Sequence, residues 1–306
     1  MSEHILTDWD AEKVAKFERE PVVAHHNLHK RDMFSDEGLI DLLDRYPREK
    51  LGIYCFGTDP LQNTEIEAGI ADGISGKDIL AVVKRGRLWL NLRKADRELK
   101  EYAELRDAMF GDLMAQTPGL KTFREDLGVL ISSPNTQVYY HLDVPLVTLW
   151  QIRGTKKVWL YPPKPPMLSD EDLERVVLKE SEEEIPYQTS YDDNALLVEH
   201  QPGMVATWPQ FGPHRIRNEN MMNVSLSCEF QTMRSVVQAN AVYANGVLRR
   251  NFGLSPSIYS DSDTVKYLKA ASARFFKILK LRKSFEFHKQ KTFKIDPDAE
   301  TGLRAL

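Results

Sequence analysis

Two imidazoles and a carboxylate in this sequence have the types and order of a metal site. His141 and Asp143 lie in the run Tyr139-Tyr140-His141-Leu142-Asp143, and His214 ends the segment GMVATWPQFGPH. If the first run is a β-strand, its period-two alternation sends His141 and Asp143 to one face. A lone His-x-Asp occurs by chance in many proteins, and with His214 added the set can still be read as three unrelated polar residues. The downstream segment changes that balance. A glycine turn, an apolar strand, a Trp-Pro pair and then His214 read as one strand bringing a ligand back to the first. Two imidazoles and a carboxylate on three corners of an octahedron leave the opposite face open, as non-haem iron(II) requires when dioxygen and a cosubstrate must both reach it.

A third element lies in QIRGTKKVWLYPP, residues 151–163. Arg153-Gly154-Thr155 has the composition of a tight hairpin. Beyond it Lys156, Val158 and Leu160 share one strand face, and Thr155, Lys157 and Trp159 share the other. A lysine facing the inside of a β-barrel needs a counter-charge, because an unpaired buried ammonium is very costly. The distal carboxylate of 2-oxoglutarate would supply one. If Lys157 faces inward instead, the assignment moves by one residue.

Other chemically suggestive residues have plainer readings. His25, His26 and His29 form an HHxxH cluster, but no cysteine or acid nearby completes a zinc set, so a surface strand or loop is expected. Trp150, Trp159 and Trp208 fall in strand patterns and read as core or pocket wall. Tyr139 could line a pocket beside the site, although packing explains a strand aromatic as well. Cys228 reads as a small buried side chain without an activating neighbour. Glu199-His200, before a Pro-Gly turn, is expected to be exposed.

These residues need elements to position them. From Val129 to about Phe230 come short β-branched and aromatic runs separated by turn residues: VLISS, QVYYHLD, LVTLWQI, KKVWLYPP, MVATW and NVSLSCEF. Strands at this spacing predict a closed or sandwiched antiparallel β architecture. Residues 169–184, SDEDLERVVLKESEEE, interrupt them as an acidic helical excursion, most simply a solvated insertion. Before the strands, Asp36–Tyr46 carries a helical apolar face, KLGIYCFG and RLWLNL read as strands, and Ser75 reads as the N-cap of a helix. A charged helix is expected over Asp96–Gln116. After residue 235 the pattern turns helical: VVQANAVYANGVLRRNFG is stopped by Gly253, and Thr264–Leu281 can set Val265, Leu268, Phe275, Phe276 and Leu279 on one stripe. The division expected is therefore 1–235, flanking elements and β domain, and 236–306, a helical extension.

With these motifs in place, the chain resembles the Jumonji-C or cupin-like oxygenases, and within them the subgroup of the asparaginyl hydroxylase acting on the hypoxia-inducible factor. The resemblance covers roughly residues 129–230 and rests on His-x-Asp, Gln-Ile-x-Gly-x-Lys with Pro-Pro, then Pro-Gly, Pro and His. It implies a mainly β fold with flanking helices, a double-stranded β-helix (jelly roll). It implies iron(II) bound by His141, Asp143 and His214, and 2-oxoglutarate bound by Lys156 as cosubstrate. It also points to Ser227, or Ser225, on the strand after the distal histidine. Val138 and Val147 depart from it, since polar residues stand at those positions in the subgroup. The reaction implied consumes dioxygen and 2-oxoglutarate, releases succinate and hydroxylates a C–H bond of a protein or small molecule. Hydroxylation is favoured over N-demethylation because no aromatic cage for a methylated cation is visible. The alternative is a non-catalytic, metal-binding cupin with a regulatory or scaffolding role. Helical extensions in such proteins pair two subunits, so a homodimer is expected.

Composition narrows the rest. The chain has 306 residues, 42% hydrophobic and 28% charged, with a formal net charge of -4, ordinary for a soluble globular protein. That charge gives no global reason for nucleic acid or an anionic membrane as partner. The basic tail from Lys266 to Lys294 reads as a solvated or partner-facing helix, without any sign of base readout. Only Cys55 and Cys228 occur, which excludes a disulfide framework and fits a reducing, cytoplasmic setting. No apolar run is long enough for a signal peptide core or a membrane span.

Overall fold

The computed structural model describes residues 4–61, 65–282, 285–287 and 289–306. Its helices are α1 (Ala11–Lys16), α2 (Asp36–Arg45), α3 (Gly76–Arg85), α4 (Ala95–Glu98), α5 (Lys100–Gln116), α6 (Asp170–Val177), α7 (Met233–Phe252) and α8 (Asp263–Ile278). Its strands are β1 (Val22–His25), β2 (Gly52–Phe56), β3 (Ile66–Ile70), β4 (Trp89–Leu92), β5 (Phe123–Ser132), β6 (Gln137–His141) and β7 (Leu146–Arg153). They continue with β8 (Lys156–Leu160), β9 (Leu196–His200), β10 (Met204–Thr207), β11 (His214–Asn218), β12 (Asn223–Gln231), β13 (Lys291–Ile295) and β14 (Leu303–Ala305).

Local chemistry sets the helix starts. Ser35, Ser75, Ser169 and Ser262 cap α2, α3, α6 and α8 by accepting from an exposed backbone N–H of the first turn. Thr232 and Ser235 form a reciprocal capping box on α7. At the other end of α7, Gly253 takes the left-handed conformation that a side chain would disfavour.

The strands β5 to β12 fold into two facing sheets. β10-β7-β12-β5 form the centre of the larger sheet, and β6-β11-β8-β9 form the smaller. The chain crosses between the sheets at nearly every connection, which is the double-stranded β-helix. Alternation then sorts side chains. On β12 Val224, Leu226, Cys228 and Phe230 enter the main core, which also takes in Leu105, Met109 and Phe110 of α5. Ser225, Ser227 and Glu229 take the opposite face of the same strand and look into the barrel. Inside the barrel, Val147, Leu149, Val158, Leu160 and Trp208 pack as a separate small cluster.

Three expectations need correction. The excursion at 169–184 is helical only as α6, and its Leu173, Glu174 and Val176 are buried, so it is not a solvated appendage. The charged helix before the barrel is broken at Leu99 into α4 and α5. Beyond the helical extension α7–α8, the chain returns as β13 and β14. β13 pairs in parallel with β3 and lengthens the larger sheet. Apart from these corrections, the apolar stripe on α8 faces outward: Val265, Leu268, Phe275 and Leu279 are all exposed. In the basic tail, Lys283, Ser284 and His288 lie outside the described residues. Among the described residues no helix is long and apolar enough to cross a membrane.

Candidate metal and cosubstrate site

Strand pairing brings the two histidines together. β11 lies antiparallel to β6 with His214 directly opposite His141, and an irregularity follows between His214 and Ile216. Their ring centroids are 4.1 Å apart. Asp143 sits just past the end of β6, and its Oδ2 lies 3.4 Å from His214 Nε2. Among the described residues, His141, Asp143 and His214 form the one group of three whose ligand atoms all lie within 4.8 Å of one another.

Backbone carbonyls aim both rings. His141 Nδ1 is 2.7 Å from the Tyr139 carbonyl, and His214 Nδ1 is 3.1 Å from the Gly212 carbonyl. A carbonyl only accepts, so each Nδ1 carries the proton and each Nε2 keeps its lone pair, the tautomer a metal ligand needs. Burial, and then the neighbouring His141, holds His214 well below the usual imidazole range. Burial pushes the Asp143 carboxyl up, while His141 and Arg93 pull it down. Two imidazoles and a carboxylate with converging donor atoms fit a divalent cation with nitrogen and oxygen ligands.

These side chains open on a cavity of about 700 Å³ between the sheets. Lys156 lies in the same cavity and is only 3% exposed. Its Nζ donates to Ser225 Oγ at 2.6 Å, and Ser225 donates onward to Gln151 Oε1 at 2.7 Å. Gln151 is locked in turn by donating to the Gly154 carbonyl and to Asn223. Burial pushes the Lys156 ammonium down to about 7. Lys157 points outward and pairs with Glu219 at 3.2 Å, so the inward lysine is Lys156. Ser227 lines the cavity between the two ends, whereas Ser225 is the serine that touches Lys156. Val138 and Val147 form apolar wall.

Several residues stand elsewhere than the sequence placed them. Tyr139 does not line the cavity. Its ring packs 5.4 Å from Phe56, which does line it, and its hydroxyl donates to the Glu65 carbonyl. Trp208 is cavity wall, 4.4 Å from the His214 ring, while Trp150 belongs to the core and Trp159 carries Arg215 over its face. Cys228 is buried as expected. His26 is buried against Trp150 rather than on the surface, and His25 pairs with Asp8. Glu199 is exposed, but its neighbour His200 is fully buried.

The cavity mouth holds acids that the sequence reading missed. The stretch after α6 runs antiparallel to the end of β6: Leu142 N–H donates to the Glu183 carbonyl, and Ile185 N–H to the Tyr140 carbonyl. Glu183 is thereby set on the rim, where burial and then the Asp143 charge push it up to about 7. Glu229 is pushed up to about 7 for the same two reasons, with Arg93 opposing at 3.9 Å. Glu229 was accessible to inspection, since it continues the inward row of Ser225 and Ser227. Phe285, Phe287 and Lys289 cross the same mouth from the end of the chain, and Lys289 pairs with Glu182. No local pattern could have brought them there.

No protein-family model matches this chain, and no curated protein matches it. Solved structures do. The chain is similar to the structure of ycfD from Escherichia coli, with a TM-score of 0.51 and 18% identity over 90% of this chain and 69% of that one. It is also similar to a structure described as YcfD, a ribosomal oxygenase from Escherichia coli in complex with cobalt and 2-oxoglutarate. That match has a TM-score of 0.49 and 18% identity over 90% of this chain and 68% of that one. At such identity the first likeness is one of architecture: this chain has the double-stranded β-helix fold of ycfD with flanking helices.

Proposed function

We propose that this chain is an iron(II)- and 2-oxoglutarate-dependent oxygenase of the Jumonji-C or cupin-like kind. In this reading His141, Asp143 and His214 hold the metal, Lys156 holds the distal carboxylate, and a C–H bond of a protein or small molecule is hydroxylated. One observation carries it. A single cavity has two imidazoles and a carboxylate with converging donor atoms, and also a buried ammonium whose partner is a serine rather than a carboxylate. A 2-oxo dicarboxylate is complementary to both features: its keto acid can chelate a cation, and its far carboxylate supplies the missing counter-charge.

Iron(II) bound there would supply, with dioxygen and the 2-oxo acid, an oxidant able to attack an unactivated C–H bond. The chain's own part is to bind, orient and exclude. The Tyr139 and Gly212 carbonyls fix the two imidazole planes, and Ser225 and Gln151 fix the ammonium. Trp208, Val147 and Leu149 keep the wall apolar. Glu183 and Glu229 at the rim face whatever substrate enters.

The test is direct. Protein loaded anaerobically with iron(II) and given 2-oxoglutarate should release succinate when air is admitted, slowly without substrate. Absence of turnover together with absence of 2-oxoglutarate binding overturns the proposal in favour of a non-catalytic cupin. The free Cys55 and Cys228 support a reducing, cytoplasmic setting as part of this reading. The exposed apolar face of α8 supports a homodimer. Light scattering over a range of concentrations should give twice the chain mass, reduced to one by Leu268→Glu. A monomer throughout rules the dimer out.

A further inference from the structure

Asp143 stands on a loop rather than a strand: β6 ends at His141, and β7 begins at Leu146. A carboxylate on a loop keeps its place only if the loop is tied down. Two hydrogen bonds bracket it. On one side Leu142 N–H donates to the Glu183 carbonyl at 3.1 Å. On the other, the side-chain amide of Gln210 donates from Nε2 to the Val144 carbonyl at 2.8 Å. A carbonyl only accepts, so the nitrogen of the amide must be the atom that faces it. Gln210 lies in the turn between β10 and β11. Its bond therefore ties the loop carrying Asp143 to the turn that delivers His214.

A hydrogen bond positions its acceptor only if the donor is itself fixed, and this turn is. Phe211 has a left-handed backbone with φ 66°, which a side chain disfavours, and its ring is buried in the cluster that holds Tyr140 and Leu142. Gly212 N–H donates to the Pro209 carbonyl. A Cβ on Gly212 would meet that oxygen at 2.9 Å and Trp208 Cδ1 at 2.9 Å, so the turn closes only around glycine. Gln210 is 6% exposed, and its Oε1 is buried without a partner among the described residues. An unpaired buried oxygen is costly, and an apolar side chain of the same length would avoid that cost. What the amide supplies against it is the bond to Val144.

We propose that Gln210 is a positioning residue for the metal centre, holding through the Val144 carbonyl the loop that presents Asp143. The inference rests on the proposed function and adds that one side-chain amide sets the two halves of the ligand set against each other. The imidazoles have other supports: His141 and His214 face each other across paired strands, and each has its own carbonyl. Loss of the Gln210 bond therefore falls on the carboxylate ligand.

The experiment is a spectrophotometric titration of the full chain with cobalt(II), with thermal unfolding of each metal-free protein alongside. Gln210→Met keeps the length and removes the donor. Gln210→Asn keeps the amide but draws it back by one methylene, and it carries the same comparison should Gln210→Met not fold. Each should weaken cobalt(II) binding roughly tenfold, the lower end of what loss of an outer-sphere partner costs. The visible absorption of the saturated protein should also change, because a displaced carboxylate alters the geometry around cobalt. In an Asp143→Ala background Gln210→Met should add nothing to the loss of affinity, since the ligand it positions is gone. A purely structural glutamine predicts a lower unfolding temperature with affinity and absorption unchanged, and that result overturns the proposal. So does a tenfold loss that persists in full in the Asp143→Ala background. Both outcomes leave the proposed function standing, because the unaltered chain still binds cobalt(II). An unaltered chain that binds none removes the proposed function, and the role of Gln210 with it.

Discussion

Two groups of histidines in this chain invite comparison. His25, His26 and His29 fall within a few residues of one another and do not converge: His25 points to Asp8, and His26 is buried against Trp150. His26 and His29 meet edge to face at 5.9 Å without a third ligand. His141 and His214 are far apart in sequence, yet their rings lie 4.1 Å apart with Asp143 at the same point. Closeness along the chain counts for little. What matters is which strands pair, and which ring nitrogen a backbone carbonyl leaves free.

The sharpest way to break this contrast is metal binding. His214→Ala or Asp143→Ala should weaken cobalt(II) binding by more than about 100-fold, since loss of even an outer-sphere partner costs 10- to 100-fold. His25→Ala and His29→Ala should leave it unchanged in the same spectrophotometric titration. Equal losses from both groups would show that the metal sits elsewhere. Next in size, Lys156→Met should reduce 2-oxoglutarate affinity by roughly 100-fold, because it removes the buried partner of a charge. Lys157→Met, on the opposite face of the strand, should have no effect.

The third prediction concerns His26 and stability. Burial, and then His29, depress it from 6.5 to about 4. A depressed imidazole binds protons more readily in the unfolded chain, so its contribution is fully present above pH 6.5 and is lost as pH falls toward 4. Over that window the unfolding free energy should drop by about 3 kcal/mol, and urea titrations of His26→Gln should lack this part of the slope. A slope that persists unaltered in the variant would assign it to other groups. The smallest effect is expected from Tyr139→Phe. It removes one hydroxyl bond to the Glu65 carbonyl and should cost less than about 1 kcal/mol of stability, with metal and cosubstrate affinity intact. A fall in either affinity would return Tyr139 to the site.

Much of the barrel was legible because its strands carry strong local signals. β-Branched and aromatic runs between turns marked β5 to β12 and the hairpin at Gly154, but only the folded strands decide that Lys156 and not Lys157 turns inward. The proposed metal ligands were legible as types and order, although the alternation argument holds only partly: β6 ends at His141, and Asp143 reaches the site from the following loop. What stayed hidden depends on long-range packing. Glu183 reads as one more acid in an acidic stretch until that stretch docks beside β6. His200 reads as exposed because it precedes a turn, yet β9 alternation buries it beside Val198, opposite Lys156. β13 is a short basic strand that only the edge of β3 could make recognisable.

The tilted packing of Trp208 against His214 has a practical corollary. An indole 4.4 Å from an imidazole proposed as a metal ligand is an internal optical reporter. A paramagnetic cation seated at the triad would quench its emission, while a diamagnetic one such as zinc would leave it bright. Occupancy and exchange at the centre can therefore be followed in real time on the unlabelled protein, before any substrate is known.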